Sequence, residues 1–215
     1  MIRSDVLRSE NEVLGYTLFT PENMEKGKRY PLILSLHGAG ERGDGAGELD
    51  KATNIGIGKY IKQGMMELDA IVLCPQCPCD NVWSKLIPET KALTDRIVQS
   101  YPVDTDRISV TGMSMGGFGT WEMGMSYPHY FSAFAPICGG GMAWRADAFR
   151  NKPIWAFHGN ADTVVDISNS ADMVRGARRN GAIVKFTIFD DVQHNSWDPA
   201  YLDTRVIDWL LEQTL

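Results

Sequence analysis

Short apolar runs alternate along the chain with segments in which hydrophobic residues recur at helical spacing. The apolar runs are rich in β-branched and aromatic residues and predict strands at Val13–Phe19, Leu32–Leu36, Ala70–Cys74, Arg107–Thr111, Ala133–Cys138, Ile154–Phe157 and Lys185–Phe189. The segments between them predict helices at Glu48–Gln63, Glu89–Tyr101, Met115–Ser126, Ile167–Asn180 and Thr204–Glu212. Val6 and Leu7 are expected to form a short hairpin partner for the first strand, with Ser9–Glu12 as the turn.

The predicted strands are apolar almost without interruption, as in Leu32–Leu36. Continuous apolar runs are typical of strands that are buried on both faces, and strands that alternate with helices form parallel sheets. The pattern therefore predicts an α/β fold, with a mostly parallel central sheet of about eight strands flanked by helices. No repeat or Pro/Ser-rich linker divides the chain, so residues 1–215 are expected to form a single domain.

Composition and charge narrow the possible classes of partner. The net charge is −6 and the isoelectric point is about 5.2, which disfavours binding to nucleic acid or to an anionic membrane surface. No window approaches the 18 or so apolar residues of a membrane-spanning helix. The segment Met1–Val6 lacks the apolar region of a signal peptide, so we expect a cytoplasmic protein, although a chain trimmed at its N-terminus would look the same.

The segment Gly112–Gly117 matches the pattern Gly-x-Ser-x-Gly, with Ser114 at its centre. The pattern follows a predicted strand and opens a predicted helix, which is the context of a nucleophilic serine on a sharp turn. Gly112 and Gly116 would lack side chains because a Cβ atom there would meet the neighbouring strand or helix. The alternative is a glycine-rich turn that carries an incidental serine.

A serine hydroxyl needs a general base, and the chain offers four histidines. His194 follows the last predicted strand and is the expected base. His37 and His158 each end a strand, where an imidazole more often orders a loop, and His129 lies at the end of a helix.

The base in turn needs an acid that fixes its tautomer. Asp162, five residues after the strand Ile154–Phe157, is preferred for this role. Asp166 is more suited to capping the following helix. Asp190 and Asp191 remain as alternatives. The chain order is Ser114, Asp162, His194.

The loop His37–Gly43 follows the second strand and contains three glycines. Backbone N–H groups that point at a developing oxyanion commonly contribute about 3–4 kcal/mol to acyl transfer. We expect such donors at Ala39 and at Met115, which directly follows the nucleophile. A phosphate-binding loop is the alternative, but the segment lacks the spacing and the lysine of such loops.

Cys74, Cys77 and Cys79 are too crowded for the paired spacing of a zinc ribbon. Cys74 ends a buried strand, where a free cysteine packs as a small apolar residue. We therefore expect no metal and no cofactor, although a redox or metal protein built on this cluster stays an alternative, as does a disulfide in an oxidised sample.

These segments together resemble the α/β-hydrolase superfamily, and within it small carboxylesterases of the feruloyl-esterase and polyhydroxybutyrate-depolymerase-like type. The resemblance rests on Leu36–Gly43, Gly112–Gly117, His158–Asp162 and His194–Trp197. It implies that Ser114, Asp162 and His194 form a catalytic triad and that Ala39 and Met115 hold the oxyanion. It also implies that Trp83 lines the substrate pocket, with Trp197 in a similar position, although packing roles fit both tryptophans nearly as well.

We expect a serine carboxylic-ester hydrolase that works through an acyl-enzyme on short-chain or aromatic acyl esters. A peptidase or thioesterase with the same triad and a non-catalytic binding module are the alternatives. The connection Gly139–Lys152 has room for about one helical turn and not for a lid domain. The partner is then a small-molecule ester, and the sequence leaves its identity and the oligomeric state open.

Overall fold

A computed structural model describes residues 2–8 and 13–215. In this part of the chain the strands are β1 (Ile2–Arg8), β2 (Val13–Phe19), β3 (Tyr30–Leu36), β4 (Ile71–Pro75), β5 (Val103–Met113), β6 (Ala133–Ile137), β7 (Pro153–Gly159) and β8 (Ile183–Phe189). The helices are α1 (Gly56–Lys62), α2 (Ile87–Ser100), α3 (Met115–Ser126), α4 (Ser168–Arg179), α5 (Trp197–Leu202) and α6 (Val206–Glu212). Short 3-10 helices lie at Ala39–Glu41, Leu49–Thr53, Trp83–Lys85 and Ala143–Phe149.

All eight strands form one sheet in the order β1-β2-β4-β3-β5-β6-β7-β8. β1 and β2 are antiparallel to their neighbours, and the strands from β4 to β8 pair in parallel. The predicted mostly parallel α/β sheet is therefore confirmed. β1 pairs with β2 along its whole length rather than at Val6 and Leu7 alone, and the predicted turn at Ser9–Glu12 lies outside the described residues.

Apolar layers cover both faces of the sheet. β3 and β4 are buried at every position, as their uninterrupted apolar sequences predict. One layer packs α2, α3 and α4 against one face, and it contains Trp121, Phe134 and Phe149. The other packs α1, α5 and α6 against the opposite face, around Phe157 and Tyr201. Both layers hold β5 and its neighbours rigidly, which fixes the loops that follow these strands.

One predicted helix differs from the structure as an element, and the other four agree to within two residues at each end. The predicted helix Glu48–Gln63 is wrong as one element, because the chain is extended at Ile55 and Gly56 has a positive φ of 58°. That break separates the 3-10 helix Leu49–Thr53 from α1. The final predicted helix begins at Val206 rather than Thr204, and α5 forms in a segment where no helix was predicted.

The connection from Gly139 to Lys152 contains the 3-10 helix Ala143–Phe149. Ala146 and Phe149 of this helix are buried in the apolar layer around α3 and α4. The connection is thus part of the core rather than a separate covering domain, which matches the fold expected from its length.

Candidate active site

Ser114 lies on the turn between β5 and α3 in a strained conformation, with φ of 53° and ψ of −119°. A non-glycine residue rarely adopts a positive φ, so the surrounding structure must hold it there. The Ser114 N–H donates to the carbonyl of Ile137 on β6, and its carbonyl accepts from the N–H of Phe118. Both bonds are 3.0 Å long and fix the turn from two sides.

The glycines on either side of Ser114 are required by close backbone contacts. A Cβ atom on Gly116 would lie 2.0 Å from the carbonyl oxygen of Leu36 at the end of β3. One on Gly112 would lie 2.4 Å from the carbonyl oxygen of Gly116. The sharp turn therefore exists only because these two positions have no side chain.

His194 lies between Ser114 and Asp162 in a continuous chain of hydrogen bonds. Its Nε2 is 2.9 Å from Oγ of Ser114, and its Nδ1 is 2.7 Å from Oδ2 of Asp162. Since a carboxylate only accepts, the proton lies on Nδ1, and Nε2 is free to accept the serine proton. The three side chains thus come from the loops after β5, β7 and β8 and meet at the carboxyl ends of the strands.

The Asp162 carboxylate is 7% exposed and fully engaged. Its Oδ1 accepts from the N–H groups of Val164 and Val165 at 2.9 Å each, while Oδ2 faces His194. Burial alone would raise the pKa of Asp162, but the hydrogen bonds from His194, Val165 and Val164 outweigh it and hold the pKa below its ordinary value. The group is therefore an anion at neutral pH.

The alternative acids serve local roles. Asp166 is exposed, and its Oδ1 accepts from the N–H of Ser168, the first residue of α4, although the N-cap position of this helix is Ile167 and not Asp166. Asp190 accepts from the side-chain amide of Asn160 at 2.6 Å, and Asp191 is an exposed turn residue with a φ of 54°. The hydrogen bond to His194 belongs to Asp162.

The buried histidines order loops, as expected. His37 Nδ1 donates to the carbonyl of Gly38 at 2.6 Å, and its Nε2 accepts from the N–H of Cys77 at 2.9 Å. Burial lowers the pKa of His37 to about 4, so the ring is neutral. His158 Nε2 lies 2.8 Å from the carbonyl of Val165 and 3.2 Å from Oδ2 of Asp162. His158 therefore also supports the acid, a contact that the sequence analysis missed.

The loop after β3 is adjacent to the serine. A Cβ atom on Gly38 would lie 3.7 Å from the Cβ of Ser114. Ala39 comes next and is exposed at the start of a 3-10 helix, and Met115 is the first residue of α3. The N–H groups at the first turn of a helix have no partner within that helix. One such start directly follows Ser114, and the other directly follows Gly38, which lies beside it.

The two tryptophans expected near the substrate contact different histidines and differ in burial. Trp83 is 1% exposed, and its indole N–H donates to the carbonyl of His37 at 2.9 Å. It also packs edge-on against the His37 ring, so one of its functions is to fix the loop that carries Ala39. Trp197 is half-buried and packs edge-on against His194, with 5.5 Å between the ring centroids.

A cavity of about 470 Å³ begins at Met115, the residue after the serine. Met115, Phe118 and Glu122 lie on one face of α3 and form one wall. Trp83 contributes a second wall, and the backbone around Gly140 a third. The cavity is large enough for the organic part of a small substrate.

The four cysteines, all in the described part of the chain, form no disulfide, and burial raises the pKa of Cys74 to about 12. Among the described residues, the group with ligand atoms within 4.8 Å of one another is Cys138, Asp162 and His194. Burial raises the pKa of Cys138 to about 12 as well. A metal there would have to bind a neutral thiol and break the bond between His194 and Asp162, so the donor set does not fit one.

The dienelactone hydrolase family model matches residues 79–199, which is more than half of the chain. The chain belongs to the dienelactone hydrolase family. The resemblance to the α/β-hydrolase superfamily, of which this family is a part, is thereby confirmed. The matched residues of this family member include Ser114, Asp162 and His194.

Similar solved structures are esterases. The sequence of a thermostable esterase of known structure is 30% identical to this chain, and the two structures superpose with a TM-score of 0.85. The superposition covers the whole of this chain and 63% of the esterase chain. A ferulic acid esterase is 18% identical, with a TM-score of 0.72, and 98% of each chain is covered, a likeness that shows the fold alone.

Among curated proteins, a bifunctional acetylxylan esterase/xylanase from Neocallimastix patriciarum is 23% identical over 181 residues. The match covers 81% of this chain and 25% of that protein, so this dienelactone hydrolase family member spans about a quarter of its relative's length. The family match and the thermostable esterase agree on the α/β-hydrolase fold of this chain. None of the helices in the described part of the chain is long and apolar enough to cross a membrane.

Glu122 is a further residue of the site that sequence reasoning missed. It lines the cavity and bonds Arg145, with 2.5 Å between Oε1 and Nη1. The signal was available, since Glu122 stands four and seven residues after Phe118 and Met115 on the same helix. Only the fold shows that this face of α3 borders a cavity rather than the core.

Proposed function

We propose that this chain is a serine carboxylic-ester hydrolase that acts through a covalent acyl-enzyme. The observation that carries the proposal is the chain of hydrogen bonds from Ser114 Oγ to His194 Nε2 and from His194 Nδ1 to Asp162 Oδ2. This is the geometry in which a weak serine nucleophile becomes reactive at neutral pH.

In acylation, Ser114 Oγ attacks the ester carbonyl carbon, and His194 Nε2 takes the serine proton. The new O–C bond forms a tetrahedral intermediate, and His194 then returns the proton to the alcohol oxygen as the C–O bond to the alcohol breaks. Asp162 keeps the Nδ1 proton of His194 in place and stabilises the imidazolium that forms.

In deacylation, a water molecule takes the place of the alcohol. His194 accepts one of its protons, the hydroxide oxygen adds to the acyl carbon, and collapse of the intermediate releases the acid and returns the proton to Ser114. The N–H groups of Ala39 and Met115 stabilise the oxyanion in both steps. The closeness of Gly38, which precedes Ala39, to Ser114 and the position of Met115 directly after the serine support this role.

The substrates we propose are soluble esters with short-chain or aromatic acyl groups. The connection Gly139–Lys152 packs into the core, so this segment does not form a lid that has to open before a substrate enters. The rate should therefore show no sharp rise above the micelle concentration of a long-chain ester. The cavity of about 470 Å³ is suited to one ring or a short chain.

The test is the Ser114→Ala variant with p-nitrophenyl acetate and p-nitrophenyl butyrate as substrates. We expect the variant to lose nearly all activity and to lose labelling by a fluorophosphonate, while Ser168→Ala, an exposed serine on α4, keeps both. Full activity in Ser114→Ala would overturn the proposal.

A peptidase or thioesterase could use the same hydrogen-bond chain. Matched ester, thioester and anilide substrates with one acyl group separate these activities, and we expect the ester to be turned over with the highest kcat/KM. A non-catalytic binding module predicts no fluorophosphonate labelling of Ser114 at all.

A further inference from the structure

Within residues 2–8 and 13–215, β8 lies at one end of the sheet and pairs with β7 alone. The N–H of Ile183 and the carbonyl of Phe189 are both bonded to the residues that flank β7. Backbone groups of successive residues point to opposite sides of a strand, so those of Val184, Phe186 and Ile188 point away from β7. This edge of the sheet therefore presents backbone donors and acceptors with which another strand can pair.

Few features protect the outer edge of β8 from such pairing. Edge strands are commonly blocked by proline, by charged side chains or by a covering helix. β8 contains no proline and one charged residue, Lys185, whose Nζ lies 3.4 Å from the centroid of the Trp155 ring and thus over the face of the sheet. The exposed side chain of Arg178 donates to the outward carbonyl of Val184 at 3.3 Å and is able to turn away. The edge is therefore open to a strand of another chain.

Two exposed isoleucines lie on this strand, one on each face of the sheet. Ile183 is 69% exposed and Ile188 is 50% exposed. Ile188 shares its face with Val184 and Phe186, which pack against the apolar layer of α4, and Ile183 shares the opposite face with Phe189. A partner that buries both isoleucines must present apolar side chains on both faces of its own strand.

A second β8 in antiparallel orientation meets this requirement. With Phe186 on the twofold axis, all seven residues of the strand are paired, and the outward backbone groups face one another. Ile188 then lies opposite Val184 of the second copy, and Ile183 lies opposite its Phe189. Each exposed isoleucine thereby gains an apolar neighbour on its own face.

The charges that flank β8 are complementary in this arrangement. Arg178 and Arg179, at the end of α4, precede the strand, and Asp190 and Asp191 follow it, and all four are exposed. Antiparallel pairing brings the start of one strand to the end of the other, so the arginines of each copy approach the aspartates of its partner. A parallel arrangement would instead place like charges together.

We propose that this chain forms a dimer in which two β8 strands pair antiparallel about Phe186 and join the two eight-stranded sheets into one. Such a contact uses the same surface on both copies and closes on itself, so it does not build a fibre. Because the two strands run in opposite directions, the carboxyl ends of the two sheets face opposite ways. The two copies of Ser114 therefore lie on opposite edges of the joined sheet, and the dimer does not depend on the proposed function.

Sedimentation velocity on the unaltered chain measures the mass of the species in solution. At about 100 μM, where a micromolar Kd gives nearly complete pairing, we expect twice the 23.9 kDa of one chain. A monomer at this concentration overturns the proposal. Masses that grow beyond two chains, as pairing of β8 with β1 of the next copy would produce, overturn it as well.

Ile188→Lys tests whether β8 forms the contact. It removes an apolar neighbour and places a charge on the paired edge, so the dimer Kd should rise at least about tenfold. Met65→Lys makes a similar change at a residue that is 59% exposed on the loop after α1 and should keep the Kd of the unaltered protein. Circular dichroism checks the fold of each variant. An unchanged Kd in a folded Ile188→Lys variant overturns the proposal.

Charge reversal tests the antiparallel orientation. Arg178→Glu and Asp190→Lys should each weaken the dimer, and the two together should recover part of the affinity, because opposite charges meet again across the axis. Within one chain, the Arg178 side chain lies beside Val184, and six residues of extended chain, roughly 20 Å, separate that point from Asp190. Recovery therefore reports a contact between copies. If the double variant is no tighter than either single variant, the antiparallel dimer is refuted.

Discussion

The Asp162→Asn variant should fold normally and lose about 30-fold to 10⁴-fold in rate. Oδ1 of Asp162 accepts from two backbone N–H groups, at Val164 and Val165, and Oδ2 accepts from Nδ1 of His194. Asparagine has a single oxygen, and the two backbone donors would hold it in the Oδ1 position. The amide N–H₂ would then face Nδ1 of His194, which must become the acceptor. The imidazole proton moves to Nε2, and the ring can no longer accept the Ser114 proton.

The size of the loss follows from the alternative amide orientation. Turning the asparagine oxygen toward His194 restores the useful tautomer but leaves the N–H groups of Val164 and Val165 without an acceptor. Each of these donors lies in a part-buried hydrogen bond, and the loss of its acceptor costs about 1–3 kcal/mol, so the productive arrangement lies about 2–6 kcal/mol higher. At about 1.4 kcal/mol per tenfold, this corresponds to the range given above.

The assay is kcat/KM for p-nitrophenyl acetate, measured together with the thermal midpoint of unfolding. Asp166→Asn is the matched control, because it makes the same change at an exposed carboxylate four residues away. The control should keep the rate. A folded Asp162→Asn variant within threefold of the unaltered protein, or a larger loss in the control, would refute the reasoning.

Two further predictions concern stability. In Gly116→Ala the new Cβ would lie 2.0 Å from the carbonyl oxygen of Leu36, so α3 and β3 must separate. The free energy of unfolding should fall by about 1–3 kcal/mol. Gly47→Ala is the control, because its new Cβ would be 3.4 Å from the nearest atom, and it should keep the thermal midpoint of the unaltered protein. Equal thermal midpoints in the Gly116→Ala and Gly47→Ala variants would contradict the predicted clash. The pKa of His37 is about 4 in the folded chain and about 6.5 in the unfolded chain. Between these two pH values only the unfolded chain binds the proton. The free energy of unfolding should therefore fall by up to about 3 kcal/mol as the pH is lowered through this interval. Urea unfolding measures the difference in the free energy of unfolding between pH 7 and pH 5. This difference should be smaller in His37→Gln than in the unaltered protein, and an equal difference would exclude His37 as the cause.

The sequence correctly predicted those helices and strands that the local residue pattern and the tertiary contacts both favour. α3 begins and ends at the predicted residues, because its glycine-rich start and its apolar face are both local signals. The segment Glu48–Gln63 has helical spacing as well, but Gly56 packs against Met113 in a left-handed conformation, and the helix breaks there. Local spacing contains no information on that contact.

Trp83 is a second case in which the local sequence could not predict a tertiary contact. Trp83 was expected to line the pocket or to pack in the core. In the structure it borders the cavity but is only 1% exposed, and its indole N–H donates to the carbonyl of His37. A single sequence offers no measure of burial for an isolated aromatic residue in a loop. The depth of the cavity and the pairing of Glu122 with Arg145 likewise depend on how three separate segments pack.

By itself the sequence determined most of the order of strands and helices and the candidate residues for acyl transfer, because strand spacing and the glycines around Ser114 are properties of neighbouring residues. Tertiary structure decided which aspartate meets His194, because the sequence preferred Asp162 but left Asp166, Asp190 and Asp191 open, and only the pairing of β7 with β8 brings one of them to the histidine. It also decided that the cavity extends along α3 to a carboxylate. Distances between residues far apart in the chain are set by the packing of the whole sheet, and no local pattern encodes them.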